Sequence, residues 1–178
     1  MPGYLVQSGV LLMSPHRAGA DRLPVLARAR NMGDRRPDAH PATESAMTAP
    51  IPAAYRDLFT RPAIAHLATL MPDGSPQVTP VWCDLDGEHV RVNSVKSRRK
   101  DRNIRRDARV ALSLCDPDNP YRYLELRGRV VAITEQGARE HIDALAKKYL
   151  GVQVYPYHKD ADVRVIYRIA PERFSQMG

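Results

Sequence analysis

The sequence predicts a mainly β chain with inserted helices, its antiparallel sheet closed into a small barrel. Three observations lead there. Short apolar or alternating segments recur from Ile64 onward and are separated by tight turn signals. Three stretches of helical spacing interrupt them, as expected of helices inserted into an antiparallel sheet. No G-x-G-x-x-G follows a strand, and neither a P-loop nor a G-x-S-x-G is present, which argues against a nucleotide-binding parallel sheet or a serine hydrolase.

Taken in order, residues 1–46 mix Pro, Arg, Ala, Asp and Gly without a sustained period and are expected to form a disordered extension. The apolar patch around Val10 to Met13 is too short for a signal h-region. Met47 reads as a natural start, so a domain is expected over 47–178, and a chain beginning there is expected to fold and bind its ligand. Tyr55, Leu58 and Phe59 predict a short amphipathic helix. Ile64 to Leu70 and Pro76 to Asp84 predict two strands paired through the Pro72-Asp73-Gly74-Ser75 turn. Pro80 inside the second marks a sheet edge or a bulge, since proline cannot donate to a ladder. Asp86-Gly87 signals another hairpin into a third strand, His89 to Ser94.

Ser97 looks like the N-cap of a short basic helix in which Ile104 is the clear apolar residue. Arg109 to Cys115 predicts a fourth strand, and Tyr121 to Ile133 a long fifth, with Gly128 as a bend or close approach. Thr134 is expected to cap a helix whose stripe is Ala138, Ile142, Leu145, Ala146 and Tyr149, with Gly151 ending it. Tyr155 to His158 reads as a loop. Val163 to Ile169 predicts a last strand, and Pro171 to Met177 a short closing strand or turn.

The chain of 178 residues has a net charge of +7, and the surplus is concentrated. Between Lys96 and Arg109 lie eight Lys or Arg against Asp101 and Asp107, a local charge of +6. With Ser97 as cap, Arg98, Arg99 and Lys100 fill the first helical turn, where the helix dipole disfavours cations by about 0.3–1 kcal/mol each. Free backbone N–H groups point out of the same end. Two readings fit: a solvated basic helix, or a site where an anion, most often a phosphate, completes the charge pattern. Nucleic acid is not expected, because Lys96 to Arg109 contains no aromatic residue for stacking. No apolar run approaches a membrane span. Cys83 and Cys115, both in strand-like segments without metal spacing, read as buried reduced thiols of a cytoplasmic protein. The six histidines show no H-x-x-x-H, so no metal site is proposed.

The run from Ala68 to Trp82, the basic stretch Ser97 to Val110 and Tyr123-Leu-Glu-Leu-Arg-Gly-Arg-Val130 together resemble the split β-barrel flavin and deazaflavin proteins, the pyridoxamine-phosphate-oxidase-like superfamily. Within it the chain looks most like the actinobacterial branch that uses the deazaflavin coenzyme F420. The resemblance covers about Ala53 to Met177. It implies a phosphate clamp at Arg98, Arg99 and Lys100, a ring-pocket strand carrying Gln77, Thr79 and Val81, and ring or side-chain contacts at Asn93 and Ser94. Tyr121 and Tyr123 fall where a partner subunit often contributes an aromatic, and the family is typically a homodimer. Trp82 is read as core or dimer-interface packing. The implied activity is hydride transfer between F420 and a conjugated small molecule. The alternatives are an FMN-dependent oxidase or reductase, or a cofactor carrier without turnover. Lys96, Arg102, Arg105 and Arg106 lean towards F420, whose phosphate and carboxylate tail is more anionic than FMN. No catalytic residue is assigned.

Overall fold

The structure, a computed structural model, describes residues 48–178. The expected N-terminal extension and its boundary at Met47 lie outside the described residues. After a 3-10 turn at Ala53–Tyr55 the elements are α1 (Asp57–Thr60), β1 (Ala65–Leu70), β2 (Pro76–Val81), β3 (Cys83–Asp86), β4 (His89–Val95), α2 (Arg99–Arg106), β5 (Arg109–Cys115), β6 (Tyr123–Thr134), α3 (Ala138–Leu150) and β7 (Arg164–Met177). The seven strands form one sheet in the order β2-β1-β5-β6-β7-β4-β3, and every neighbouring pair is antiparallel.

The two outer strands of that order, β2 and β3, are consecutive in the chain. The single strand expected from Pro76 to Asp84 is therefore two, divided at Trp82. Up to Val81 the segment pairs with β1, and from Cys83 it pairs with β4. The change of partner at Trp82 joins the sheet's two edges and makes the architecture a split β-barrel. Pro80 is tolerated because β2 has β1 on one side only.

Alternation fills the interior. Val90 and Val92 of β4, Leu112 and Leu114 of β5, Leu124 and Leu126 of β6, and Tyr167 and Ile169 of β7 are all buried. Leu58 and Phe59 of α1 join the same core. Fully burying such a side chain contributes about 1.5–3 kcal/mol. An ion-pair cluster fastens the α1 end: Arg122 reaches Asp57 and Asp116, each at 2.6 Å, and Arg61 reaches Asp116 at 3.0 Å.

The last two expected strands are one, β7, of 14 residues. Register shifts lie between Arg127 and Gly128 and between Val130 and Ala132 on β6, and Pro171 stands opposite Gly128. The irregularity admits a proline inside the ladder. Gly128 is the close approach expected of it: a Cβ there would meet the Ala170 carbonyl oxygen at 2.2 Å.

Two caps differ from expectation. The N-cap of α2 is Arg98, and Ser97 precedes it in the left-handed region at φ 68°. The Asp101 carboxylate reaches back to accept the Ser97 N–H at 2.9 Å, which holds the turn in that conformation. For α3 the N-cap is Gly137, while Thr134 ends β6 and accepts the Gln136 N–H at 3.1 Å. Gly151 caps the C-terminus with φ 73°. Cys83 is buried, but Cys115 ends β5 with an outward-facing, exposed side chain, so only one of the two thiols is in the core.

Candidate functional site

The ladder between β4 and β7 sets Val95 opposite Arg164, and the Lys96 N–H donates to Val163 at 2.8 Å. The end of β4, the start of β7 and the start of α2 therefore meet at one corner. β2 brings Val81 there, the partner change brings Trp82, and α3 brings Ile142. These elements enclose a cleft of about 250 Å³. Its polar side carries Asn93, Ser94, Arg98, Lys100 and Arg164, and its apolar side carries Ile64, Pro80, Val81, Trp82, Ile142 and Tyr155. Trp82 stacks on Tyr149 with ring centroids 5.0 Å apart and meets Tyr155 edge-on at 5.8 Å. It is thus a cleft wall held by other aromatics.

α2 starts without a side-chain cap, so its first-turn N–H groups are open to a ligand. The surrounding charges divide into two sets. Lys96 pairs with Glu135 at 2.7 Å and Arg105 with Asp101 at 3.0 Å. Arg102 donates to the Ser97 carbonyl and Arg106 to that of Leu70. These four are engaged within the chain, although only Glu135 adds a negative charge to the two aspartates already counted. Arg98 and Lys100 have no such acid among the described residues. Lys100 is half-buried, and burial, followed by the neighbouring Arg98 charge, pulls its ammonium below the usual lysine range. Such a lysine disfavours folding while charged, and a bound anion reverses the effect.

Three buried polar side-chain atoms among the described residues lack a hydrogen-bond partner: Thr79 Oγ1, Ser94 Oγ and Arg164 Nε. Two of the three residues, Ser94 and Arg164, are among those lining this cleft. Of the residues expected from the sequence, Val81, Asn93, Ser94, Arg98 and Lys100 come together there. Arg99, one residue further round α2, is exposed and does not line it. Gln77 lies nearer the other end of β2, where its Oε1 accepts from Thr69 Oγ1 at 3.1 Å. Thr79 is half-buried on the same strand, outside the cleft. Tyr121 is exposed, and Tyr123 borders a separate groove with Val78 and Ala111. Asn93 lines the cleft with its amide already committed: Nδ2 donates to the Ala138 carbonyl at 2.7 Å and Oδ1 accepts from Arg164 at 3.0 Å. Sequence reasoning missed Arg164, Tyr155 and Ile142. The strand Val163 to Ile169 holds both Arg164 and Arg168, so nothing in the sequence singled out the first.

An antiparallel barrel divided at a partner-switching strand, with a basic and aromatic cleft at the division, defines a split β-barrel cofactor-binding class. Residues 51–178 match the pyridoxamine 5'-phosphate oxidase family, and the chain belongs to that family of flavin-binding, oxidoreductase-like proteins. Among solved structures, an F420 reductase is 41% identical, with 70% of this chain and 98% of that one covered and a TM-score of 0.64. The conserved hypothetical protein Rv2991 from Mycobacterium tuberculosis is 23% identical, with coverages of 76% and 89% and a TM-score of 0.56. The General Stress Protein 26 from Bacillus anthracis str. Sterne is 16% identical, with coverages of 68% and 88% and a TM-score of 0.51. The last two likenesses concern the fold alone. No curated protein matches the chain. Among the described residues no helix is long and apolar enough to cross a membrane, and no three His, Cys, Asp or Glu side chains gather into a metal-holding group.

Proposed function

We propose that the protein is an F420-dependent oxidoreductase, working as a homodimer on a small conjugated substrate. The observation that carries this is the cleft: three cations, Arg98, Lys100 and Arg164, without acidic partners among the described residues, beside an aromatic wall. These residues fit a planar ring with an anionic side chain. Arg98, Lys100 and the open first turn of α2 hold the phosphate. Val81, Trp82, Ile142 and Tyr155 flank the ring and keep water from it. When bound, F420 supplies a ring carbon that gives or takes a hydride, while the protein binds and orients. The 41% identity to an F420 reductase over 70% of the chain supports the choice of cofactor.

One observation favours the FMN reading instead. Lys96, Arg102, Arg105 and Arg106 are engaged by the chain itself, so they are not free for the carboxylate tail that distinguishes F420. Fluorescence titration with both cofactors tests the proposal: F420 is expected to bind more tightly than FMN, and the reverse order overturns it. Reduction of a conjugated acceptor by the reduced complex separates an enzyme from a carrier. For the dimer, the groove bordered by Val78, Ala111 and Tyr123 on the sheet's outer side is the proposed contact, with Tyr121 and Tyr123 reaching the second subunit's site. Sedimentation is expected to give twice the chain mass at micromolar concentration, and a monomer would remove the two-chain site.

A further inference from the structure

Arg164 opens β7 and is only 9% exposed. Among the described residues its guanidinium meets no carboxylate. Nη1 donates to Asn93 Oδ1 at 3.0 Å, Cζ lies 4.5 Å from the centroid of the Tyr155 ring, and the buried Nε has no acceptor. An isolated buried charge is strongly unfavourable, and arginines in such places ordinarily sit in ion pairs. The nearest acidic groups do not provide one. Glu135 and Asp162 border a second pocket together with Arg164, but neither carboxylate lies within ion-pair distance of it, and Glu135 is taken by Lys96 at 2.7 Å.

A relay of hydrogen bonds holds the guanidinium in place. Arg91 grips Asp84 through two bonds, at 2.9 and 2.7 Å. Asp84 Oδ1 faces His141 Nε2 at 3.1 Å, and His141 Nδ1 faces Asn93 Nδ2 at 3.3 Å. With Asp84 as acceptor, His141 donates from Nε2, and Nδ1 faces the Asn93 amide nitrogen. The amide of Asn93 is thereby oriented with its nitrogen towards α3 and its oxygen towards Arg164. Tyr155 packs on the guanidinium, and among the described residues Nη2 makes no hydrogen bond, which leaves that nitrogen as the donor for a ligand.

The geometry points to Arg164 as an anion anchor: it binds a carboxylate or phosphate oxygen of a ligand in the cleft, in addition to the phosphate corner at α2. This rests on the cofactor reading of the cleft. The anion comes either from the cofactor's side chain or from a carboxylated, conjugated substrate. In both cases the recognition is an Arg–oxyanion hydrogen bond at a partly desolvated edge.

The test uses the full chain with Arg164→Met and Arg164→Lys. F420 and FMN are titrated beside the same two rings lacking phosphate and carboxylates. On cofactor-saturated protein, 2-naphthoate is compared with the uncharged 2-naphthamide by calorimetry. If the cofactor supplies the anion, Arg164→Met weakens F420 or FMN by about tenfold to a hundredfold and leaves the stripped rings unchanged, with Arg164→Lys in between. If the substrate supplies it, cofactor affinities hold while 2-naphthoate binding falls by the same factor and 2-naphthamide is unaffected. The anchor is overturned if charged and uncharged ligands lose affinity in parallel, as for a scaffold residue, or if no affinity changes. Wild-type protein that binds neither cofactor but distinguishes 2-naphthoate from 2-naphthamide through Arg164 refutes the cofactor reading alone. Wild-type protein that binds none of the probes refutes both.

Discussion

Lys100 offers the sharpest separation of a ligand clamp from a structural cation. It is the second residue of α2, half-buried beside Arg98, and no acid neutralises it among the described residues. Replacing it with Met keeps most of the apolar stem and removes the charge. In the ligand-free protein this relieves repulsion with the helix dipole, about 0.3–1 kcal/mol. The melting temperature is therefore expected to hold or to rise by a few degrees at most. With cofactor the sign reverses. A charge-assisted hydrogen bond to phosphate contributes about 1.5–3 kcal/mol, so affinity falls by about tenfold to a hundredfold. Asp101→Asn is the contrasting variant. That carboxylate is buried and accepts from the Ser97 N–H at 2.9 Å, Arg105 Nε at 3.0 Å and the Tyr167 hydroxyl at 3.0 Å. Its replacement is expected to lower stability by roughly 1–3 kcal/mol with or without ligand. Thermal melts of wild type and both variants, with and without cofactor, read all four quantities. If Lys100→Met loses stability without ligand and keeps the full cofactor-induced shift, the α2 corner is scaffold and the assignment fails.

Other expectations follow from single features. Gly128→Ala places a methyl against the Ala170 carbonyl oxygen, which is backbone and cannot swing away, so urea denaturation should show a loss of at least about 1–3 kcal/mol. Trp82 is the chain's sole tryptophan and lines the cleft, so saturating cofactor should quench its emission; unchanged emission would place the ligand elsewhere. The Cys83 thiol is buried, which raises it to about 11, while Cys115 is exposed; a thiol reagent should titrate one group in the native protein and two in denaturant. Asp107 is held down to about 2, mainly by hydrogen bonding from Arg109, and Asp116 lies well below its ordinary range through the Asp118 N–H and then Arg61 and Arg122. Both carboxyls are more acidic folded than unfolded, so the unfolded chain takes up protons first as pH falls. Stability should be level above about pH 5 and fall through pH 4 towards 2; a flat profile across that window would contradict the ion-pair assignment.

Much of the barrel was legible because hairpins are local. The Pro72 to Ser75 turn and Asp86-Gly87 fix their strands within a few residues, and Gly74 and Gly87 adopt the positive φ those turns need. The helix stripe through Ala138, Ile142, Leu145 and Ala146 was legible because its period lies within one element. The site was half legible. Arg98 and Lys100 stood out because charge order at a helix start can be read from sequence. Arg164 and Tyr155 did not, because nothing near them in sequence marks a ligand.

The sequence by itself determined the strands, most of their turns and the basic corner, since each depends on residues within about ten positions of one another. Only the tertiary structure decided three further things. It divided the second strand at Trp82, because its two halves find different partners in β1 and β4. It decided which cations stay free, because Lys96 finds Glu135 and Arg106 finds the Leu70 carbonyl across 39 and 36 residues. And it delivered Arg164 to the cleft, because β7 returns alongside β4 and sets Arg164 opposite Val95. Short-range preferences are written in neighbouring residues, whereas strand pairing and charge neutralisation depend on distant chain segments meeting, which the packed barrel alone fixes.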